Sequence, residues 1–156
     1  MKPLALGLFL AASTALNAQQ LAPNAPKDKP VTVEEKAMDK LIAPHVAKAR
    51  ETYPDASKRF RAGLPKDHHF FVTTRIKDPD GTFEQVFIYV SAIDPEKKTI
   101  TGKVSNDLGR VKTFKKGQTV TFPESEMLDW TISKPDGSEE GNFIGKFLDE
   151  YQKEKH

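Results

Sequence analysis

Among the 156 residues there is no cysteine, and that absence removes disulfide stabilisation, thiol catalysis, thiolate metal sites and an N-terminal lipid anchor. Long apolar runs are missing as well. The run Leu4–Leu16 falls short of the about 20 residues that a membrane span needs, so no transmembrane segment is expected. Charge of one sign is not in excess: 24 Lys and Arg against 22 Asp and Glu leave a net +2, too little to steer anionic partners by a whole-protein field. Glycine-rich phosphate loops are lacking, since Gly141 and Gly145 alone do not make one. Neither a Gly-x-Ser-x-Gly elbow nor a Ser-x-x-Lys element occurs, which leaves Ser91, Ser105 and Ser125 without the context of a nucleophile. No cofactor is expected.

What is present starts at the N-terminus. Lys2, the apolar stretch Leu4–Leu16 and small Ala18 before polar Gln19-Gln20 read as a secretory signal peptide over residues 1–18. Ala15 offers a second cleavage point, and the polar start at Gln19 selects Ala18. Export to the periplasm or beyond takes ATP, NAD and nucleic acid off the roll of everyday ligands. Residues 19–31 carry Pro23, Pro26 and Pro30 without apolar periodicity and read as a flexible tether. One domain is expected over 32–156.

Within that domain, Thr32 and Glu35 have capping-box spacing. Met38, Leu41, Ile42, His45, Val46, Ala49, Tyr53, Ala56 and Phe60 then recur at helical steps. Pro44 and Pro54 predict breaks, so this arm is expected as two or three short helices. Past Gly63 and Pro65 the period changes to two. Phe70, Val72, Thr74 and Ile76 alternate with His69, Phe71, Thr73 and Arg75, and Asp78-Pro79-Asp80-Gly81 makes a turn. The next strand, Phe83–Ile93, is apolar on both faces around Val86–Val90, which predicts a central strand covered twice. Thr99–Val104, Arg110–Phe114, Gln118–Phe122 and Leu128–Ile132 read as further strands between turn residues. Phe143, Ile144, Phe147, Leu148 and Tyr151 form a closing helix with Asn142 as N-cap. The fold class is therefore α+β: an N-terminal helical arm, a curved antiparallel sheet of five or six strands and a C-terminal helix.

Several of these segments share a pattern with a known family. Lys48-Ala49-Arg50-Glu51-Thr52-Tyr53-Pro54, the Asp80-Gly81 hairpin, Lys116-Gly117-Gln118-Thr119-Val120-Thr121-Phe122-Pro123, and Asp129-Trp130 with Gly141 beyond resemble the YegJ-like bacterial domain of unknown function. The resemblance spans Met38 to Leu148, and it departs at Glu139–Phe143, where a single Gly141 stands in place of a pair. It implies a small bacterial domain and no particular activity.

For chemistry, Asp67-His68-His69 is the densest set of ligand-type residues, but His68 and His69 on a strand point to opposite faces. His45 lies on the apolar helical stripe, and no metal site is expected. The carboxylate pairs Glu34-Glu35, Glu124 with Glu126, Glu139-Glu140 and Asp149-Glu150 read as helix-start or solvated charge. Asp129-Trp130 holds the single Trp, read first as a core anchor whose indole N–H meets backbone and second as a stacking surface for a ligand. Arg110, Lys112, Phe114 and Lys116 would share one strand face, three cations around a ring, and could form a binding face or guard a sheet edge. The reading is an exported, non-enzymatic binding domain of the bacterial envelope whose partner is an acidic protein or an anionic envelope component. A cell-envelope hydrolase and an inhibitor or immunity-type protein are the alternatives.

Overall fold

The computed structural model describes residues 33–155. The residues read as signal peptide and tether, Thr32 of the expected capping box and His156 lie outside them. Helix α1 (Val33–Ala62) is followed by strands β1 (His69–Lys77), β2 (Phe83–Asp94), β3 (Thr99–Val104) and β4 (Thr119–Pro123). A short 3-10 turn (Glu124–Glu126) leads into β5 (Asp129–Ser133), β6 (Glu139–Gly141) and helix α2 (Phe143–Glu154). Six strands form one sheet in the order β4-β3-β2-β1-β5-β6 with every pair antiparallel, as the α+β reading required.

The helical arm corrects one expectation. It is a single helix of 30 residues that runs through both Pro44 and Pro54. An interior proline costs a helix about 3 kcal/mol, through a lost hydrogen bond and a clash with the carbonyl four residues back. Here both prolines, and the residues Lys40 and Arg50 that own those carbonyls, lie on the exposed side, where water can satisfy the freed groups. On the other side Ile42, Ala49, Tyr53 and Ala56 are buried, and burial at about 0.8 kcal/mol per CH₂ offsets the loss. Packing decides the outcome over local propensity.

Phe70, Val72 and Ile76 of β1, Val86, Ile88 and Val90 of β2, Ile100, Val120, Phe122 and Ile132 form the sheet side of the core against α1. The largest wholly buried side chains, Phe70 and Phe122 among them, each contribute about 1.5–3 kcal/mol by leaving water. The β1–β2 hairpin closes with Gly81 at φ 86°, its N–H donating to Asp78 O at 2.9 Å. Gly141, the lone glycine before α2, adopts φ 71°, and a Cβ there would come 2.2 Å from the Trp130 carbonyl oxygen. That close approach needs glycine.

The double cover expected for β2 is not found. Its inward side chains Val86, Ile88 and Val90 are buried, while Phe87 and Tyr89 are 47% and 42% exposed. Helix α2 packs beside α1, with Phe147 stacked on His45 at 4.4 Å, so it adds no layer over those two rings.

Candidate binding face

Arg110–Phe114 is not a strand. Residues 105–118 form a long connection between β3 and β4, and two carboxylates hold it down. Glu84 accepts the backbone N–H groups of Gly109 at 3.0 Å, Arg110 at 2.9 Å and Val111 at 3.2 Å. Asp78 accepts those of Lys112 at 2.8 Å and Thr113 at 2.9 Å, together with the Thr113 hydroxyl at 2.5 Å. These bonds use the donors that a strand would give to a neighbour. They also stabilise the charged acids: the Thr113 hydroxyl and then the backbone donors hold Asp78 below the usual carboxylate range, and the N–H of Gly109 leads the same effect on Glu84.

The four residues read as one basic face therefore disperse. Phe114 is buried with Val111 in the core. Arg110 lies 3.4 Å from Glu35, Lys112 Nζ donates to Gly109 O at 2.9 Å, and Lys116 lies 3.4 Å from Asp107. A cation-ringed aromatic does exist, but elsewhere: the Phe83 ring has Arg75 at 5.1 Å, Lys77 at 5.8 Å and Arg110 at 5.9 Å from its centroid. Arg75 is itself ion-paired with Asp39 of α1.

Asp129 and Trp130 are both buried and tie the two helices to β5. Trp130 Nε1 donates to the Ala49 carbonyl at 3.2 Å and to the Thr52 hydroxyl at 3.0 Å. This is the core-anchor geometry. Asp129 accepts the N–H of Ile144 at 2.7 Å and that of Trp130 at 2.8 Å, so it supplies the cap of α2. Burial pushes its pKa up, against the pull of those donors. Asn142 occupies the N-cap position in a left-handed conformation but makes no capping bond; its amide donates to Glu139 at 2.7 Å.

The histidines stand apart. His45 stacks on Phe147, His68 Nδ1 meets Lys66 O at 3.0 Å, and His69 Nδ1 shares a 2.9 Å hydrogen bond with the Tyr89 hydroxyl. Among the described residues no three His or carboxylate side chains converge as a metal site would need.

The exposed aromatic side chains Phe87 and Tyr89 lie on the open face of the sheet. Register places Phe71 opposite Tyr89 and the buried Thr73 opposite Phe87, and on the far side of β2 it places Lys103 opposite Tyr89. The Phe71 and Tyr89 rings are 5.2 Å apart, and the His69 ring meets Tyr89 edge-on at 5.6 Å. Along β2 the sequence Phe83, Gln85, Phe87, Tyr89 repeats every second residue, so the cation-ringed Phe83 and the exposed pair share this face. Lys103 is exposed and makes no ion pair among the described residues. The sequence carried the signal for this strip, a strand apolar on both sides, but read it as a demand for internal cover.

Residues 39–155 match a protein-family model described as "Uncharacterized protein conserved in bacteria (DUF2314)". The match spans most of α1, the whole sheet and α2. It agrees with the resemblance to a bacterial domain of unknown function, and its description carries no YegJ-like name. No curated protein and no solved structure matches the chain.

Proposed function

The chain belongs to the bacterial family DUF2314, and we propose that it serves as an exported, non-catalytic binding domain of the cell envelope whose ligand lies across the open sheet face. One observation carries this reading: two large aromatic side chains at the middle of an internal strand, Phe87 and Tyr89, stand exposed at 47% and 42%. Exposed apolar patches rimmed by polar groups mark binding surfaces. The backbone beneath them is already paired on both sides, so the face offers rings and no free strand edge. Flat rings suit the faces of sugar rings, and Lys103 together with Lys77 beside Phe83 suits acidic substituents. The ligand class that fits is an anionic glycan of the envelope. The N-terminal signal sequence accords with that location.

The buried carboxylates support a role without turnover, because Asp78 and Asp129 are both spent on backbone N–H groups. A hydrolase has one observation in its favour. Glu126 faces a cleft of about 140 Å³ with Thr74, Arg75 and Lys77, and burial raises its pKa, as a general acid requires. That cleft holds no second carboxylate among its described lining.

Co-sedimentation with purified cell-wall sacculi tests the proposal. The chain should pellet with the sacculi, and Phe87→Ser with Tyr89→Ser should remain in solution while keeping its melting temperature. Equal pelleting of the double variant overturns the open-face reading. Release of soluble sugar fragments, abolished by Glu126→Gln, would establish the hydrolase instead.

A further inference from the structure

We propose that a second site, separate from the open sheet face, binds a phosphoryl group in the cleft between α1, the β2–β3 hairpin and the turn that precedes β5. The cleft has a volume of about 370 Å³ and is lined by Arg50, Tyr53, Lys97, Lys98, Glu124 and Ser125. Its charge is uneven: three cations face one carboxylate. Glu124 is engaged, accepting the Tyr53 hydroxyl at 3.1 Å.

Arg50 is the fixed part of this site. Its Nε donates to Met127 O at 3.2 Å and its Nη2 to Ser125 O at 3.1 Å. Both partners are carbonyls, and among the described residues Arg50 meets no carboxylate, so its charge is oriented without being neutralised. A guanidinium has five N–H donors, which leaves donors for an oxyanion in the fork geometry that phosphate favours.

The hairpin supplies the exposed part. Lys97 Nζ stands 4.0 Å from Asp94, at the limit of an ion pair, on a side chain that is 80% exposed. Asp94 itself is occupied by the backbone N–H groups of Glu96 and Lys97. Lys98 adopts φ 52°, a left-handed conformation that is uncommon for a residue with a side chain. Its carbonyl accepts the N–H of Glu124 at 2.9 Å, which pins the hairpin tip against the turn carrying Ser125. The strained residue thus brings two lysines to the rim of a cleft whose far wall holds Arg50. Three cations against Glu124, with Asp94 behind Lys97, leave a positive excess that suits a phosphate oxyanion.

Free phosphate and a phosphorylated headgroup share this chemistry. The experiment is a thermal-shift and calorimetric titration of the full chain with inorganic phosphate, at ionic strength held constant with chloride, and with succinate as a carboxylate control. A saturable rise with phosphate that succinate does not reproduce supports the site. Vesicles of phosphatidic acid, compared with phosphatidylcholine, then show whether the source is a headgroup or the free ion. Lys97→Gln with Lys98→Asn is the variant of choice, because both positions are exposed and Asn tolerates the left-handed conformation. It should fold normally and bind phosphate about tenfold more weakly, the scale of one lost charged hydrogen bond. Equal affinity in this variant, or a phosphate response no larger than that of succinate, overturns the proposal. Loss of sacculus binding through Phe87 and Tyr89 leaves it untouched, so the two sites are judged separately.

Discussion

The carboxylate of Asp129 accepts the backbone N–H of Ile144 at 2.7 Å, so the first residue of β5 caps the N-terminus of α2. The adjacent Trp130 bonds α1 at Ala49 and Thr52. One dipeptide in the sheet therefore fixes both helices. Asp129→Ala removes the cap and leaves buried N–H groups unpaired. It should cost about 2–3 kcal/mol, read as a fall in the urea midpoint, with Asp129→Asn milder because its amide oxygen still accepts.

Two carboxylates should give opposite pH signatures. Glu140 lies between Arg59 at 2.7 Å and Lys134 at 3.0 Å, and its pKa is lowered from 4.5 to about 2, chiefly by Arg59. A lowered folded value means stability that is present above 4.5 and lost as pH falls toward 2. Asp129, raised by burial, contributes the reverse: stability present below its unfolded value of 3.8 and lost as pH rises through its folded one. Melting temperature against pH should therefore flatten on the acid side in Glu140→Gln and steepen in Asp129→Asn.

The loop after β3 should depend on single acids. Glu84→Ala strips the acceptor from Gly109, Arg110 and Val111, while Lys112 and Thr113 keep Asp78. Amide hydrogen exchange should accelerate about tenfold at residues 109–111, a change of about 1.4 kcal/mol in local opening, and far less at residues 112–113. Uniform acceleration across the loop would contradict this division.

Replacement of Pro44 should stabilise the chain. It lies inside α1 on the exposed side and removes a helical hydrogen bond. Pro44→Ala should raise stability by about 1–3 kcal/mol in denaturant unfolding, against a small loss from the freer unfolded chain.

Much of the fold was legible in local pattern. β3 begins and ends at Thr99 and Val104 as its alternation predicts, the Asp78–Gly81 turn closes its hairpin, and Phe143 opens the last helix. The misreadings share one cause. Arg110–Phe114 alternates like a strand, yet Glu84 and Asp78, more than twenty residues away, take its N–H groups. Pro44 and Pro54 predict breaks, yet the burial of Ile42, Tyr53 and Ala56 carries the helix through. Neither competing interaction is local.

By itself the sequence determined the class of the fold and the bounds of strands such as β3, because hydrophobic period and turn chemistry are local properties. Tertiary structure alone decided which face of β2 stays open, because both of its sides are apolar and only the packing of α1 residues Ala49, Tyr53 and Ala56 in one core with Val86, Ile88 and Val90 selects between them. It also decided that Arg50, Lys97, Lys98 and Ser125 meet, since they come from three distant segments that adjoin only when the sheet closes against the helix. Side-chain convergence across such separations is set by packing, and no period in the chain encodes it.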